Sequence, residues 1–139
     1  MDFSLLFGAS AIVQTHLLFA VGAFLIGGIQ LLLKKGTSLH KVLGRLWVVV
    51  MLIVSLTSFW IKKPMSSGIF LGFSVIHLLS VFVLVQLIRG VHFARVGNIT
   101  GHQKSMTYMY IGGLIIAGAF TFYPGRLLHQ VFVLPLLGV

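Results

Sequence analysis

Four of the six histidines in this 139-residue chain fall in a two-fold pattern. His16 and His40 are 24 residues apart, and His77 and His102 are 25 apart. The first of each pair opens the same tripeptide, His16-Leu17-Leu18 and His77-Leu78-Leu79. The second of each pair follows a basic, Gly- and Thr-containing stretch and starts a new apolar run. Imidazole is a ligand for transition metals and for haem iron. Imidazoles at matching depths of two repeated hairpins therefore point to a cofactor held between the halves. Few other groups could do chemistry. With no cysteine, thiolate zinc sites, iron–sulfur clusters, disulfides and cysteine nucleophiles are excluded. Asp2 is the sole carboxylate side chain. Paired-carboxylate catalysis, oxygen-ligand calcium or magnesium sites, a Ser-His-Asp triad and an Asp/Glu proton relay cannot be built within the chain.

The elements that position these histidines must live in a membrane. The chain is 58% hydrophobic and 8% charged, with a mean hydropathy of +1.11, outside the range of soluble domains. Four apolar segments, about 8–33, 43–61, 68–88 and 105–123, each approach the ~20 residues a helix needs to cross a bilayer. The first lacks a basic leader and a small-residue cleavage motif, so it is expected to be a mature helix rather than a signal peptide. The fold expected is all-α and integral to the membrane. It is a single domain, 1–139, forming a four-transmembrane-helix bundle of two tandem helical hairpins. A short turn, Lys62-Lys63-Pro64-Met65-Ser66-Ser67-Gly68, joins the hairpins. Thr37 or Ser38 can cap the helix that carries His40, and Asn98 or Thr100 the helix that carries His102. Ala23 with Gly27, and Gly113 with Ala117, are four apart and would let helices approach closely. The apolar tail 124–139, broken by Pro135, is expected at the outer interface or against a second copy or larger complex.

The net charge of +9 reads as topology rather than nucleic-acid binding. Lys34, Lys35, Lys41, Arg45, Arg89, Arg95 and Lys104 lie in or beside the first and third loops. Lys62, Lys63 and Arg126 lie on the other side. The positive-inside rule puts the richer side in the cytoplasm and both termini outside, with anionic lipid headgroups attracted to the inner side.

In a sequential bundle, helices one and three are diagonal, as are two and four, at ~12–14 Å. That gap suits a flat metal macrocycle with an imidazole on each face. His16 with His77 would make an outer site and His40 with His102 an inner one, as axial ligands to haem b, one or two per chain. Lys41 and Arg45, with Lys34, Lys35 and Lys104 nearby, could hold cofactor carboxylates. Gly44, one turn after His40, would leave room for a flat ligand, and Met106 holds the equivalent place after His102. The competing reading makes His16 and His77 neutral imidazoles bonded to a backbone carbonyl, Thr15 or Ser80, and the basic cluster a topology signal alone. His92 and His129 have no repeat partner; a surface position is expected for both, with His129 and Arg126 near the outer site.

The stretch Lys35-Gly36-Thr37-Ser38-Leu39-His40-Lys41-Val42-Leu43-Gly44-Arg45-Leu46-Trp47 resembles a motif of small, four-helix bacterial membrane proteins that form a domain-of-unknown-function family. His102-Gln103-Lys104-Ser105-Met106, continued by Ala117 to Arg126, resembles that family's second motif. The resemblance implies membership and no activity. The histidine arrangement is also similar to the two-haem cytochromes of the b-561 superfamily, in which alternate helices pair histidines around a haem on each side. This chain has only four helices and a tighter spacing within each hairpin.

The function expected is that of a b-type membrane cytochrome in a bacterial inner membrane. It would carry electrons between an inner donor such as quinol and an outer acceptor such as ferric iron or a redox protein. Two alternatives stand beside it. One is a non-catalytic subunit or assembly partner of a larger complex, with histidines as polar glue. The other is a quinone-binding protein or small transporter, with histidines lining a cavity.

Overall fold

A computed structural model describes residues 3–61 and 75–137, with side chains from residue 77 onward in the second stretch. Every element among the described residues is helical. A short α1 (Ser4–Phe7) precedes α2 (Ala11–Leu32), α3 (Ser38–Ser58), α4 (Val75–Arg95) and α5 (Ile99–Tyr110). A π-helical stretch, Ile111–Ile116, and α6 (Ala117–Phe120) continue α5 without a break. The tail holds a π-helical turn, His129–Val133, and a last turn, α7 (Leu134–Leu136). Among the described residues, three helices are long and apolar enough to cross a membrane: α2, α3 and the part of α4 from His77 to Arg95. The linking turn 62–68 and the start of the third expected span lie outside the described residues.

Helix ends differ from the apolar windows for a local reason. α3 starts at Ser38, five residues before its apolar run, because Thr37 caps it: the Thr37 hydroxyl accepts from the His40 amide at 3.2 Å. α5 starts at Ile99 because the Asn98 side chain accepts from the Gly101 amide at 2.9 Å. Each cap follows a glycine in the left-handed region, Gly36 at φ 80° and Gly97 at φ 76°, where a side chain would be strained. α4 runs seven residues past the expected 88, carrying Arg89, His92 and Arg95. A hydropathy window stops at the first charges, whereas helical hydrogen bonding does not.

α2 packs on α3, α3 on α4, and α4 on α5, while the π-helical stretch touches α2. The interior faces meet at Ala23, Trp47, Met51, Val83, Met109 and Tyr110. The opposite faces are apolar and open: Leu18, Leu25 and Leu32 on α2, and Val42, Val49 and Leu56 on α3, are all exposed. A soluble protein would not leave such stripes in water; here lipid covers them. Since lipid removes most of the hydrophobic drive for helix association, close packing and hydrogen bonds must hold the helices together. A Cβ on Gly27 would come within 2.6 Å of the Tyr110 ring and 2.8 Å of Trp47 Nε1. A Cβ on Gly113 would come within 2.7 Å of Val83. Both glycines therefore mark close helix approaches. Trp47 Nε1 donates to the Ala23 carbonyl at 2.7 Å, and the Tyr110 hydroxyl to the Phe24 carbonyl at 3.1 Å. Such bonds contribute roughly 0.6 kcal/mol each in a membrane interior.

The tail folds back on the chain. Val131 is fully buried, and the Phe132 ring lies edge-on to Phe3 at 6.0 Å and 6.5 Å from Phe122.

Candidate functional site

The two histidine pairs lie at opposite ends of α3. At the C-terminal end, His16 Nδ1 of α2 is 2.9 Å from the Thr57 hydroxyl. That hydroxyl is 2.8 Å from the Ile53 carbonyl. A carbonyl only accepts, so Thr57 donates to Ile53 and accepts from His16 Nδ1–H. The other imidazole nitrogen, Nε2, then carries the lone pair. His77 of α4 reaches the same level: its ring is 5.8 Å from that of Phe59, two residues beyond Thr57. His77 is 9% exposed. The surroundings are buried and rich in hydroxyls. Ser58 of α3 and Ser80 of α4 share a 2.6 Å hydrogen bond, and both are buried.

At the N-terminal end of α3, His40 stands in the first turn. His102 stands in the first turn of α5, and the two imidazoles are close enough to interact electrostatically, with Lys35 beside them. His102 Nδ1 lies 2.9 Å from the Gly90 carbonyl of α4, so this nitrogen is the donor and Nε2 again keeps the lone pair. Gly90 is buried where α4 meets α5, and a Cβ there would run into Met106. Gln30 of α2 donates from Nε2 to the His40 carbonyl at 2.8 Å. The Gln30 amide occupies the space beside Gly44, 3.2 Å from where a Cβ would stand. The room expected there for a flat ligand is thus shared with a side chain.

The basic residues divide. Lys35 Nζ is within 2.6–3.0 Å of the carbonyls of Gln30, Leu31 and Leu33, capping the C-terminus of α2. Lys34, Lys41, Arg45 and Lys104 are exposed at the same end. Arg89 lies over the Phe93 ring at 5.8 Å. His92 is exposed, as expected of a surface residue. His129 differs from that expectation: it is half-buried, and its Nδ1 is enclosed without a hydrogen-bond partner.

Thr57, Gly90 and Gln30 are the partners that sequence reasoning did not single out. Gln30 alone left a signal, as an amide deep in an otherwise apolar run. His16 bonds to Thr57 rather than to Thr15, and Ser80 shares a hydrogen bond with Ser58. Among the described residues no three of His, Cys, Asp and Glu gather as a compact metal site. The arrangement instead offers single imidazoles from separate helices, brought to one level at each end of α3. A ring nitrogen held as a donor by a carbonyl or hydroxyl is the usual companion of a metal-ligating histidine, because it fixes the tautomer and aims the other nitrogen.

Residues 13–133 match the family described as Predicted membrane protein (DUF2306). No curated protein and no solved structure matches the chain. With three apolar helices of spanning length among its described residues and a match over most of its length, the chain belongs to this family of predicted membrane proteins.

Proposed function

We propose that this chain is a b-type membrane cytochrome. It would pass electrons across the bilayer from an inner donor such as quinol to an outer acceptor such as ferric iron or a redox protein. The observation that carries the reading is the state of two of its imidazoles. His16 and His102, at opposite ends of α3, each have Nδ1 committed as a donor, to Thr57 and to the Gly90 carbonyl. Each therefore presents Nε2 as a ligand lone pair. Haem b, one or two per chain, would be held by His16 with His77, by His40 with His102, or by both pairs, and would supply a one-electron iron couple.

The rest of the chain orients and insulates. Thr57 and Gly90 fix imidazole planes, and the packed middle keeps water out between the ends. Lys41 and Arg45, exposed beside His40, are suited to carboxylate groups. From His40 to Thr57 is 17 residues, a rise of about 25 Å, so the two levels approach opposite faces of a bilayer. On this reading the continuous helical run 99–120 is the fourth crossing. It closes a four-helix bundle of two tandem hairpins with α2, α3 and α4. The cation-rich His40 end faces a bacterial cytoplasm and both termini face outward.

The test is a visible spectrum of the detergent-purified protein, oxidised and dithionite-reduced, with a pyridine haemochrome titration. A Soret band with sharp reduced α-bands, at one or two haems per chain, is expected. A colourless protein from haem-replete cells would overturn the reading.

A further inference from the structure

His40 breaks a pattern that His16 and His102 establish. Its Nδ1 is buried and has no hydrogen-bond partner. One other buried atom at the same end is in the same condition, Oε1 of Gln30. The two are complementary. An imidazole N–H needs an acceptor, and an amide oxygen needs a donor. They are also tied together, because Gln30 Nε2 already donates to the His40 main-chain carbonyl. That bond fixes which way the amide faces. Turning it over would set oxygen against oxygen, so Oε1 is the end left over. Gln30 is 8% exposed, and a buried polar atom left unmatched at this depth is costly.

We infer that Gln30 is a positioning residue for His40: through one water its Oε1 accepts the hydrogen bond that His40 Nδ1–H offers, and so leaves Nε2 as the ring's lone-pair nitrogen. The inference rests on the proposed reading of His40 and His102 as a ligand pair. It completes a rule across the molecule. A donor-side anchor for each of His16, His40 and His102 comes from a neighbouring helix: Thr57 of α3 for His16, Gln30 of α2 for His40, and the Gly90 carbonyl of α4 for His102. A single water can satisfy both atoms, and buried waters commonly serve such groups.

The experiment uses the full chain in detergent, labelled with 15N-histidine, as wild type, Gln30→Met and Gln30→Glu. Gln30→Met keeps the length of the side chain and removes both polar atoms. Gln30→Glu keeps an acceptor oxygen. Histidine tautomers are read from the ring nitrogens by NMR in the haem-free protein, and haem affinity is measured separately by titration. In the wild type His40 should hold its proton on Nδ1. Gln30→Met should shift the tautomer ratio toward Nε2–H by about tenfold, the worth of one hydrogen bond, and Gln30→Glu should restore it. His16 and His102 should not change in either variant. Haem affinity should fall about 10-fold in Gln30→Met.

A His40 tautomer indifferent to Gln30→Met, with helicity by circular dichroism intact, overturns the inference even if the protein binds haem. A tautomer shift in a chain that never takes up haem upholds Gln30 as the anchor of His40 and overturns only the cytochrome reading. If Gln30→Met fails to fold, Gln30→Glu decides: loss of the Nδ1–H form there overturns the inference.

Discussion

The two ends of α3 carry the same side chain, imidazole, in opposite surroundings. At the Thr57 end, His16 lies in the second turn of α2 and His77 near the first described residue of α4. They are flanked by a buried serine pair, and the aromatic tail packs over the neighbouring helix ends. At the Thr37 end, His40 and His102 sit in first turns set by capping side chains, with exposed cations around them. The repeat therefore copies the position of the imidazole and not its environment. Dielectric and hydrogen bonding tune a metal's potential as much as ligand identity does. On the proposed function, one ligand type in two environments would give two different potentials within 139 residues.

The largest break in this comparison comes from removing the histidines. His16→Ala or His77→Ala should abolish one spectral species, and His40→Ala or His102→Ala the other. Full haem content in all four variants would leave neither end as a ligand site. Next in size is the middle, which serves both ends. Gly27→Ala forces a Cβ against Tyr110 and Trp47 and should cost about 1–3 kcal/mol. Gly22→Ala, with nothing within 4 Å of its Cβ, should cost nothing and gain at most about 1 kcal/mol. Thermal unfolding in detergent would separate them, and equal midpoints would contradict the packing. Thr57→Val takes away the acceptor of His16 Nδ1 and should weaken haem binding about 10-fold at that end only. A haem titration that shows both species weakened equally would contradict independent ends. The smallest effect is at the caps. Thr37→Ala should lower stability by about 1 kcal/mol, read by the same unfolding measurement. No loss would mean that His40 is placed by tertiary contacts rather than by its helix start.

What the sequence made legible was local. The caps Thr37 and Asn98 were readable because a capping side chain acts three residues away along its own chain. The close approaches at Gly27 and Gly113 were readable because small residues four apart have one common use in lipid. The partners of the histidines were not readable. Thr57 meets His16 across 41 residues, and the Gly90 carbonyl meets His102 through backbone that any residue would carry. Both depend on how each helix is rotated about its axis. The run expected at 105–123 illustrates another limit. It begins six residues earlier, at Ile99, and changes helix type at Ile111–Ile116, where Gly112 and Gly113 occur. Apolar counts cannot register a change in hydrogen-bond pitch.

The pins from Trp47 and Tyr110 onto α2 have a consequence for timing along that helix. His16, Ala23 and Gln30 are spaced by seven, two turns less a drift of about 20°, so they share one face. His40 and Trp47 stand in the same relation on α3. Fixing Ala23 under Trp47 therefore sets the angular phase of His16 at one end and Gln30 at the other, as a keyed shaft sets two cams. Neither helix can turn at one end without turning at both. A ligand that twists α2 at one face of the membrane would be felt as torque at the opposite face.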